Sequence, residues 1–376
     1  MENIALTNAQ QKSLLQGFPD RILPLVTSED NTVKQAAVSC LGKYALFADK
    51  GLFSAVLIDL TKNHQEKLEI RAQALLALCD LALLEDTLLD EKTGLGLTLF
   101  NYLNQEESAL VIVAAEACVK LFLCGKMLSQ VVLAQLIIIF FTLPDVVGDR
   151  HSEDASDVGS PRRLQQILSL FFPAFCLSHE TNRILLLQAI KPLINKLMNL
   201  PDTSGKQKKK SLTLVTSVPK MIDFICSTVT LACPDEDENP DETEEEKEIN
   251  VTPPTNVGNN ASVKLLPELS AALAVSESLV ENESMSIANL RMVCKILASL
   301  ALSIDFDAAK SSSALKKQTW ALKQNWEKLE VLVSDHYASA SLEKLRDFIE
   351  QIDVIEEDNG ISCNILNAVS YEQQEG

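Results

Sequence analysis

Apolar positions recur at helical spacing along most of the chain, and one pattern occurs three times. The segments Val33–Leu41, Ile70–Leu78 and Val111–Val119 share this pattern of apolar, Ala and Leu positions. Their starts are about 37 to 41 residues apart, close to the period of HEAT and armadillo helical arrays. Each unit is a helix pair too small to bury its own apolar face, so neighbouring pairs must stack. The pattern predicts an all-α fold, an α-solenoid of HEAT-like helical hairpins.

Helix and turn signals alternate through the rest of the chain, and no run shows the period-two alternation of a half-buried strand. Asp30 is a candidate helix cap and Gly125 a candidate helix stop. Leu315, Leu322 and Leu329 lie seven residues apart, which predicts a buried stripe on one helix. The predicted helices span 14–26, 32–47, 52–60, 67–84, 93–103, 108–123, 129–141, 161–172, 181–199 with an interruption near Pro192, 218–232, 263–280, 285–302, 314–333 and 341–352.

Acidic residues are concentrated in two parts of the chain. The net charge is −19, and Asp235–Glu248 alone contains ten acids and one Lys. So few large apolar residues surround this run that burial cannot offset the entropy of ordering it. We therefore predict a HEAT-repeat solenoid over 1–232, an acidic disordered linker over 233–261, C-terminal helical hairpins over 262–352 and a disordered acidic tail over 353–376. Outside the linker and tail the chain is near neutral, so its acidity does not exclude a nucleic-acid partner.

No pattern in the sequence indicates catalysis. The Cys and His residues lack metal-ligand spacing, and the Gly residues form neither a P-loop nor a dinucleotide-binding turn. We therefore predict a non-enzymatic protein, with no catalytic, cofactor-binding or metal-binding residue and no small-molecule substrate. Cys40, Cys79 and Cys118 lie on apolar helix faces and are expected to be small buried residues. The most apolar stretch, Val131–Leu143, is shorter than the ~20 residues of a membrane span, so we expect a buried helix there and no membrane partner.

Two basic clusters are candidates for contact with DNA phosphates. One opens a helix and the other lies in a predicted loop, Pro201–Lys210; the candidates are Arg162, Arg163, Lys206, Lys208, Lys209 and Lys210. The alternatives are a solubilising surface or an intramolecular contact with the acidic linker. No aromatic residues are interleaved with these clusters, so stacking on single-stranded bases is not indicated.

Two positions fit proline-directed phosphorylation. Ser160 precedes Pro161-Arg162-Arg163, and Thr252 precedes Pro253 within the predicted linker. A phosphate on Ser160 would lie at a helix N-terminus, where the helix dipole favours negative charge. The alternative is that Ser160 acts only as a helix cap.

Four segments also carry a family resemblance. Asn31–Leu46 and Leu68–Leu84 contain helices similar to the form V-K/R-x-x-A-x-x-x-L, with Ile70 in place of Val in the second. Val113–Gly125 ends in the run Lys-Leu-Phe-Leu-Cys-Gly, and Arg163–Ser178 contains Leu-Phe-Phe-Pro-Ala-Phe before Asn182-Arg183. In this order they resemble the C-terminal part of the condensin HEAT subunits, known as CAP-G or condensin complex subunit 3. The third repeat departs from the pattern, with Ile112 where Lys34 and Arg71 stand in the first two.

The resemblance implies a non-enzymatic scaffold subunit of condensin that binds the kleisin subunit and double-stranded DNA and works with SMC proteins in mitotic chromosome condensation. It implies a nuclear and chromosomal location with a cytoplasmic pool. It carries over no individual DNA-contacting residue, and it leaves out the N-terminal repeats of the family. The alternative function is a general HEAT adaptor, cohesin-associated or in trafficking, that binds only proteins.

Overall fold

The computed structural model describes residues 17–46, 50–89, 94–105, 108–146, 161–199, 206–232, 266–282, 286–305 and 313–358. The chain divides into two compact units, Met1–Leu186 and Leu187–Gly376. Both are built of helices, and the described ranges contain no β-strand. None of their helices is long and apolar enough to cross a bilayer.

The described residues of the first unit form four successive helical hairpins. Its helices are α1 Phe18–Val26, α2 Asn31–Ala45, α3 Lys50–Lys62, α4 Leu68–Ala82, α5 Leu95–Leu103, α6 Ser108–Leu123, α7 Gln130–Val146 and α8 Pro161–Ser178, with a short 3-10 helix over Asp86–Leu89. Helix α2 packs on α4, α4 on α6 and α6 on α8, so the second helices of successive hairpins form one layer. The first helices pack against this layer, and α5 also contacts α7. The predicted all-α fold of HEAT-like hairpins is confirmed.

Small residues let the second helices approach closely. At Gly42 of α2, an added Cβ atom would lie only 2.4 Å from the Cβ of Ala77 on α4. Ala37 and Ala74 are also buried in this layer. The Ala- and Gly-containing positions of the repeat are therefore the positions where the backbones of neighbouring hairpins come together.

Aromatic side chains fill the interior where α6 and α8 meet. Phe122 of α6 lies edge-on to Phe175 of α8, with ring centroids 5.6 Å apart, and 6.1 Å from Phe171. Phe172 contacts Phe140 of α7 at 5.9 Å. The Phe-Phe-Pro segment is thus the packing surface of α8, and such contacts add to the burial of large apolar rings.

The predicted helix caps of the first unit are present. The Asp30 carboxylate accepts hydrogen bonds from the backbone N–H of Thr32, at 2.8 Å, and of Val33. These bonds lower the pKa of Asp30. Gly125 ends α6 with φ +66°, a conformation that favours glycine. The apolar stretch that begins at Val131 lies in α7, where its central residues are buried.

The second unit stacks hairpins in the same manner. Helix α9, Glu180–Gln188, spans the boundary between the units, and the following helices are α10 Ile190–Met198, α11 Lys206–Leu231, α12 Pro267–Glu281, α13 Ile287–Ser303, α14 Ser313–Leu332 and α15 His336–Asp358. Helices α10, α12 and α14 form one layer, and α13 packs on α15. Leu315, Leu322 and Leu329 are buried along α14, as their spacing predicted.

The interruption expected near Pro192 is present and lies at Ala189, because proline excludes the carbonyl of the residue four positions earlier but fits the first turn of α10. One local prediction in this region was wrong. The predicted loop over Lys206–Lys210 is helical, and α11 begins at Lys206 rather than near Val218. Lys and Gln are good helix formers, and this propensity outweighs the polar character that suggested a loop.

Some predictions concern residues that the structure does not describe. These are the acidic linker, the end of the predicted tail from residue 359, and the phosphorylation sites Ser160 and Thr252. The division into 1–232, 233–261, 262–352 and 353–376 stays a prediction. The backbone of α15 is helical through Asp358.

Candidate interaction surfaces

Arg162 and Arg163 are exposed in the first turn of α8. The Nε of Arg163 lies 3.3 Å from Oε1 of Glu116 on α6, and 46% of the Arg163 side chain remains exposed. Because almost half of the Arg163 side chain is exposed, a phosphate can also reach the guanidinium. Arg162 and Arg163 therefore remain candidates for phosphate contact.

The ion pair of Arg163 belongs to a short series across the layer of second helices. Lys120 of α6 pairs with Asp80 of α4 at 3.4 Å, and both side chains are about half exposed. Acidic and basic side chains therefore alternate from α4 to α8. This alternation weakens the positive potential around α6 and leaves the start of α8 as the more basic end of the series.

The lysine cluster lies in the second compact unit, whereas the arginine pair lies in the first. Lys206, Lys208, Lys209 and Lys210 occupy the first turns of α11. Their assignment as phosphate contacts stays a prediction.

The basic residues of the repeated motif are committed to packing. Lys34 of α2 pairs with Glu66, in the turn before α4, at 2.6 Å, and only 14% of its side chain is exposed. Arg71, at the equivalent position of α4, is 4% exposed. Neither side chain is placed to meet a phosphate on the surface.

Both residues connect one hairpin to the next. Arg71 contacts the hydroxyl of Tyr102 on α5 at 3.4 Å and lies 5.5 Å from the centre of its ring. The Tyr102 hydroxyl donates a hydrogen bond to the backbone carbonyl of Thr61 at the end of α3. Ile112 cannot form such a connection, and Gln135 of α7 instead donates to the carbonyl of Leu103 at 3.0 Å. The repetition of Lys34 and Arg71 was visible in the sequence, but their connecting role was not.

The expectation for the cysteines holds at two of three positions. Burial raises the pKa of the Cys79 thiol to about 12 and that of Cys118 well above its ordinary value. Such thiols stay protonated and unreactive. Cys40 is exposed, so its predicted burial was wrong. Helix α6 packs between α4 and α8, whereas the described part of the chain places α2 against only one neighbour in this layer, α4.

A groove of about 460 Å³ opens between α5 and the start of α7. Its lining includes Leu97, Phe100, Leu128 and Val131, with Lys126 beside them. The sequence analysis did not single out these residues. Their apolar character was counted toward the core, and only the packing shows that Leu97 and Leu128 face solvent. Within the described ranges, no three His, Cys, Asp or Glu side chains are arranged to hold a metal ion.

A family model described as "Nuclear condensing complex subunits, C-term domain" matches residues 1–302. The chain belongs to this condensin subunit family. The match covers all of the first unit and continues well into the second, so it includes both basic clusters and the groove. No curated protein matches the chain.

The fold of this condensin family member is also found in a solved structure. A chain of the "S. pombe condensin Cnd3-Cnd2 subcomplex" crystal structure matches with a TM-score of 0.64 and 18% sequence identity. The match covers 94% of this chain and 41% of that chain. The chain thus spans less than half the length of the protein that it resembles. At this identity the likeness establishes the fold.

Proposed function

We propose that this condensin family member is a non-enzymatic scaffold that binds the kleisin subunit and double-stranded DNA during mitotic chromosome condensation. The family match over residues 1–302 is the observation that carries the proposal. The similar structure is a complex of Cnd3 with Cnd2, which supports a kleisin partner. Assembly with SMC proteins, residence in the nucleus and on chromosomes, and a cytoplasmic pool belong to the same proposal.

The DNA part of the proposal depends on the two basic clusters. Arg162 and Arg163 are exposed at the start of α8, and four lysines occupy the first turns of α11. Neither helix has an acidic residue in its first turn, and no aromatic residues are interleaved with the basic clusters, which favours the backbone of a duplex as the ligand. A general HEAT adaptor that binds only proteins would lack salt-dependent affinity for DNA.

Duplex binding should be measured with the full chain and a 30-base-pair fluorescent DNA at several salt concentrations. Each lost phosphate contact should lower the slope of log affinity against log salt by roughly 0.9. We expect Arg162→Gln with Arg163→Gln to lower this slope, and neutralisation of Lys206, Lys208, Lys209 and Lys210 to lower it further. Lys316→Gln with Lys317→Gln on α14 is the matched control, because both lysines are exposed and lie outside the clusters. Equal slopes for all variants would exclude these clusters as the DNA contact.

Kleisin binding has a separate test. The chain should be co-expressed with the kleisin subunit of the same organism and analysed by size-exclusion chromatography, with and without the SMC proteins. Co-elution supports the scaffold assignment. Separate elution, together with no salt-dependent DNA binding, would favour the alternative of a general adaptor.

Ser160 and Thr252 remain our proposed phosphorylation sites. Phosphate on Ser160 would precede Pro161, at the positive end of α8. Mass spectrometry of the chain isolated from mitotic and interphase cells tests this assignment. Modification of neither residue in mitosis would contradict it.

A further inference from the structure

Helix α14 has an exposed face that none of the described helices covers. One side of α14 packs on α12, where Asn325 donates a hydrogen bond to Ser276. On the side turned away from α12, 37% of Trp320 and 86% of Val331 are exposed. Helices α10, α12 and α14 form one layer, so this face is the position at which a further helix of the layer would stack.

The exposed side of α14 is also basic. Lys316 and Lys317 lie near its start and Lys328 lies toward its end, and all three lysines are exposed. Glu327 is the acidic residue among them, and it accepts a hydrogen bond from the side chain of Gln324 at 3.3 Å. Three lysines and one glutamate favour an acidic occupant, and the exposed aromatic and aliphatic side chains favour an apolar one.

The end of α15 lies beside the start of this face. A three-residue turn, Val333–Asp335, joins α14 to α15, and the indole of Trp326 donates a hydrogen bond to the carbonyl of Leu342 at 3.4 Å. The two helices are therefore antiparallel. Asp358 follows Leu342 by sixteen residues and Ser313 precedes Trp326 by thirteen, so both helix ends reach about the same level. The chain after α15 thus begins next to the first lysines of α14.

The sequence after α15 has the chemistry that this face requires. Residues 359–376 contain two Glu and no Lys or Arg. Asn-Gly at 359–360 is a turn signal. Ile361, Ile365, Ala368 and Glu372 then follow at the spacing of one helix face, with three apolar positions and one acid. Disorder is predicted for this segment by itself because it can bury so little, and the face of α14 supplies the missing surface.

We propose that residues 361–372 of this chain stack on α14 as the next helix of its layer. Ile361 and Ile365 cover Trp320, and Glu372 faces Lys328. A twelve-residue helix spans about 18 Å, which the 20 residues of α14 accommodate. The segment is tethered beside the face, and this gives it a higher effective concentration there than a second copy has. The inference concerns a surface within one chain and does not rest on the proposed function.

The apolar contact is tested by hydrogen exchange of the purified full chain. We expect amides in 361–372 to exchange about tenfold or more slowly than in an unstructured peptide, as burial of one apolar side chain predicts. Ile361→Asp with Ile365→Asp should remove this protection and increase acrylamide quenching of tryptophan fluorescence. Asn367→Asp with Ser370→Asp, on the opposite face of the proposed helix, is the matched control and should change neither. Unchanged exchange in α13 shows that the fold is intact.

The charge contact is tested by Lys328→Glu, with Lys344→Glu on α15 as the exposed control. Lys328→Glu should speed exchange in 361–372, and Glu372→Lys in the same chain should restore the protection. A photo-cross-linking residue at position 365 should react with α14 of the same molecule, whereas one at position 367 should not.

Four results would overturn the inference. The first is exchange of 361–372 in the wild-type chain at the rate of an unstructured peptide. The second is protection that is equal in the wild type, the Ile361/Ile365 variant and Lys328→Glu, since the segment would then be ordered without α14. Protection that rises with protein concentration, or cross-links between molecules, would assign the face to a second copy. Protection of α14 that arises only when another subunit is added would assign the face to that subunit.

Discussion

The two units stack helices in the same way but connect their hairpins differently. In the first unit, Lys34 and Arg71 occupy equivalent positions, and each connects its hairpin to the next. In the described part of the second unit, the connections found do not lie at repeated positions, and one of them is a partly exposed ion-pair cluster. Lys191 of α10 pairs with Glu277 and Glu281 of α12, at 3.3 and 2.7 Å.

Amide and hydroxyl groups supply further connections in the second unit. Asn282 donates to the side chain of Asn195 at 3.2 Å, and Asn325 donates to the hydroxyl of Ser276 at 3.0 Å. None of these residues lies at a repeated sequence position. A repeat is therefore easier to find in the sequence where the same position has the same packing role in successive hairpins.

The largest expected effect comes from the aromatic interior of the first unit. Phe122→Ala removes a side chain that is 1% exposed and contacts Phe171 and Phe175. We expect a loss of about 3–5 kcal/mol in the free energy of unfolding. Hydrogen exchange measured by mass spectrometry should accelerate in α6 and α8 and stay unchanged in α13 and α15. Equal acceleration in both units would contradict their description as separate compact units.

The close approach of α2 and α4 gives the next prediction. Gly42→Ala should destabilise the first unit by about 1–3 kcal/mol, because its Cβ would overlap Ala77. The sign is informative, since Gly→Ala within a helix normally stabilises it. Hydrogen exchange in α2 and α4 measures the effect.

Gly96→Ala in α5 is the control for this change. The nearest atom to its added Cβ, the carbonyl oxygen of Leu89, is 3.9 Å away. Gly96→Ala should leave the free energy of unfolding of the first unit unchanged or raise it slightly. Equal effects of the two substitutions would show that the helices are not closely packed at Gly42.

The different connections can be compared directly by truncating one cation in each unit. Arg71→Ala should cost about 1–3 kcal/mol, because a buried side chain loses hydrogen bonds and the packing of its stem. Lys191→Ala should cost less than about 1 kcal/mol, because its partners Glu277 and Glu281 are about half exposed.

The two tryptophans provide a direct measurement of the effect of Lys191→Ala. Trp320 and Trp326 both lie in the second unit, so tryptophan fluorescence during denaturant unfolding reports that unit alone. Hydrogen exchange in α4 and α5 reports the effect of Arg71→Ala. A larger loss from Lys191→Ala than from Arg71→Ala would reverse the comparison.

The smallest effect concerns pH. Arg291 forms two hydrogen bonds with Asp335, at 3.0 and 2.7 Å, and lowers the pKa of Asp335 to about 2. A depressed folded-state pKa stabilises the protein above the unfolded-state value of about 4, and this contribution is lost as the pH falls from about 4 to 2.

Tryptophan fluorescence melts between pH 6 and pH 2 should show this loss in the second unit. Asp335→Asn should remove that component of the pH dependence, with Asp305→Asn as the exposed control. An unchanged pH profile in Asp335→Asn would show that other carboxylates dominate this range.

Local patterns predicted most helices but less of the interaction surface. Asp30 and Gly125 marked helix ends correctly because capping depends on the adjacent backbone. Lys206–Lys210 was predicted as a loop because polarity was given more weight than helix propensity. Arg162 and Arg163 were predicted at a helix start and are found there, exposed. The ion pair of Arg163 with Glu116 could not be predicted, since it joins helices from different hairpins.

The sequence by itself determined the stacked helical hairpins and the family, because helical periodicity and the order of motifs are local properties of the chain. Only the tertiary structure decided which of the residues at equivalent repeat positions are buried. Cys40 and Cys118 occupy the same position in their repeats, yet Cys40 is exposed and Cys118 is enclosed between α4 and α8. The groove at Leu97 and Leu128 also depends on tertiary structure, because an apolar residue is covered only when a neighbouring helix packs over it.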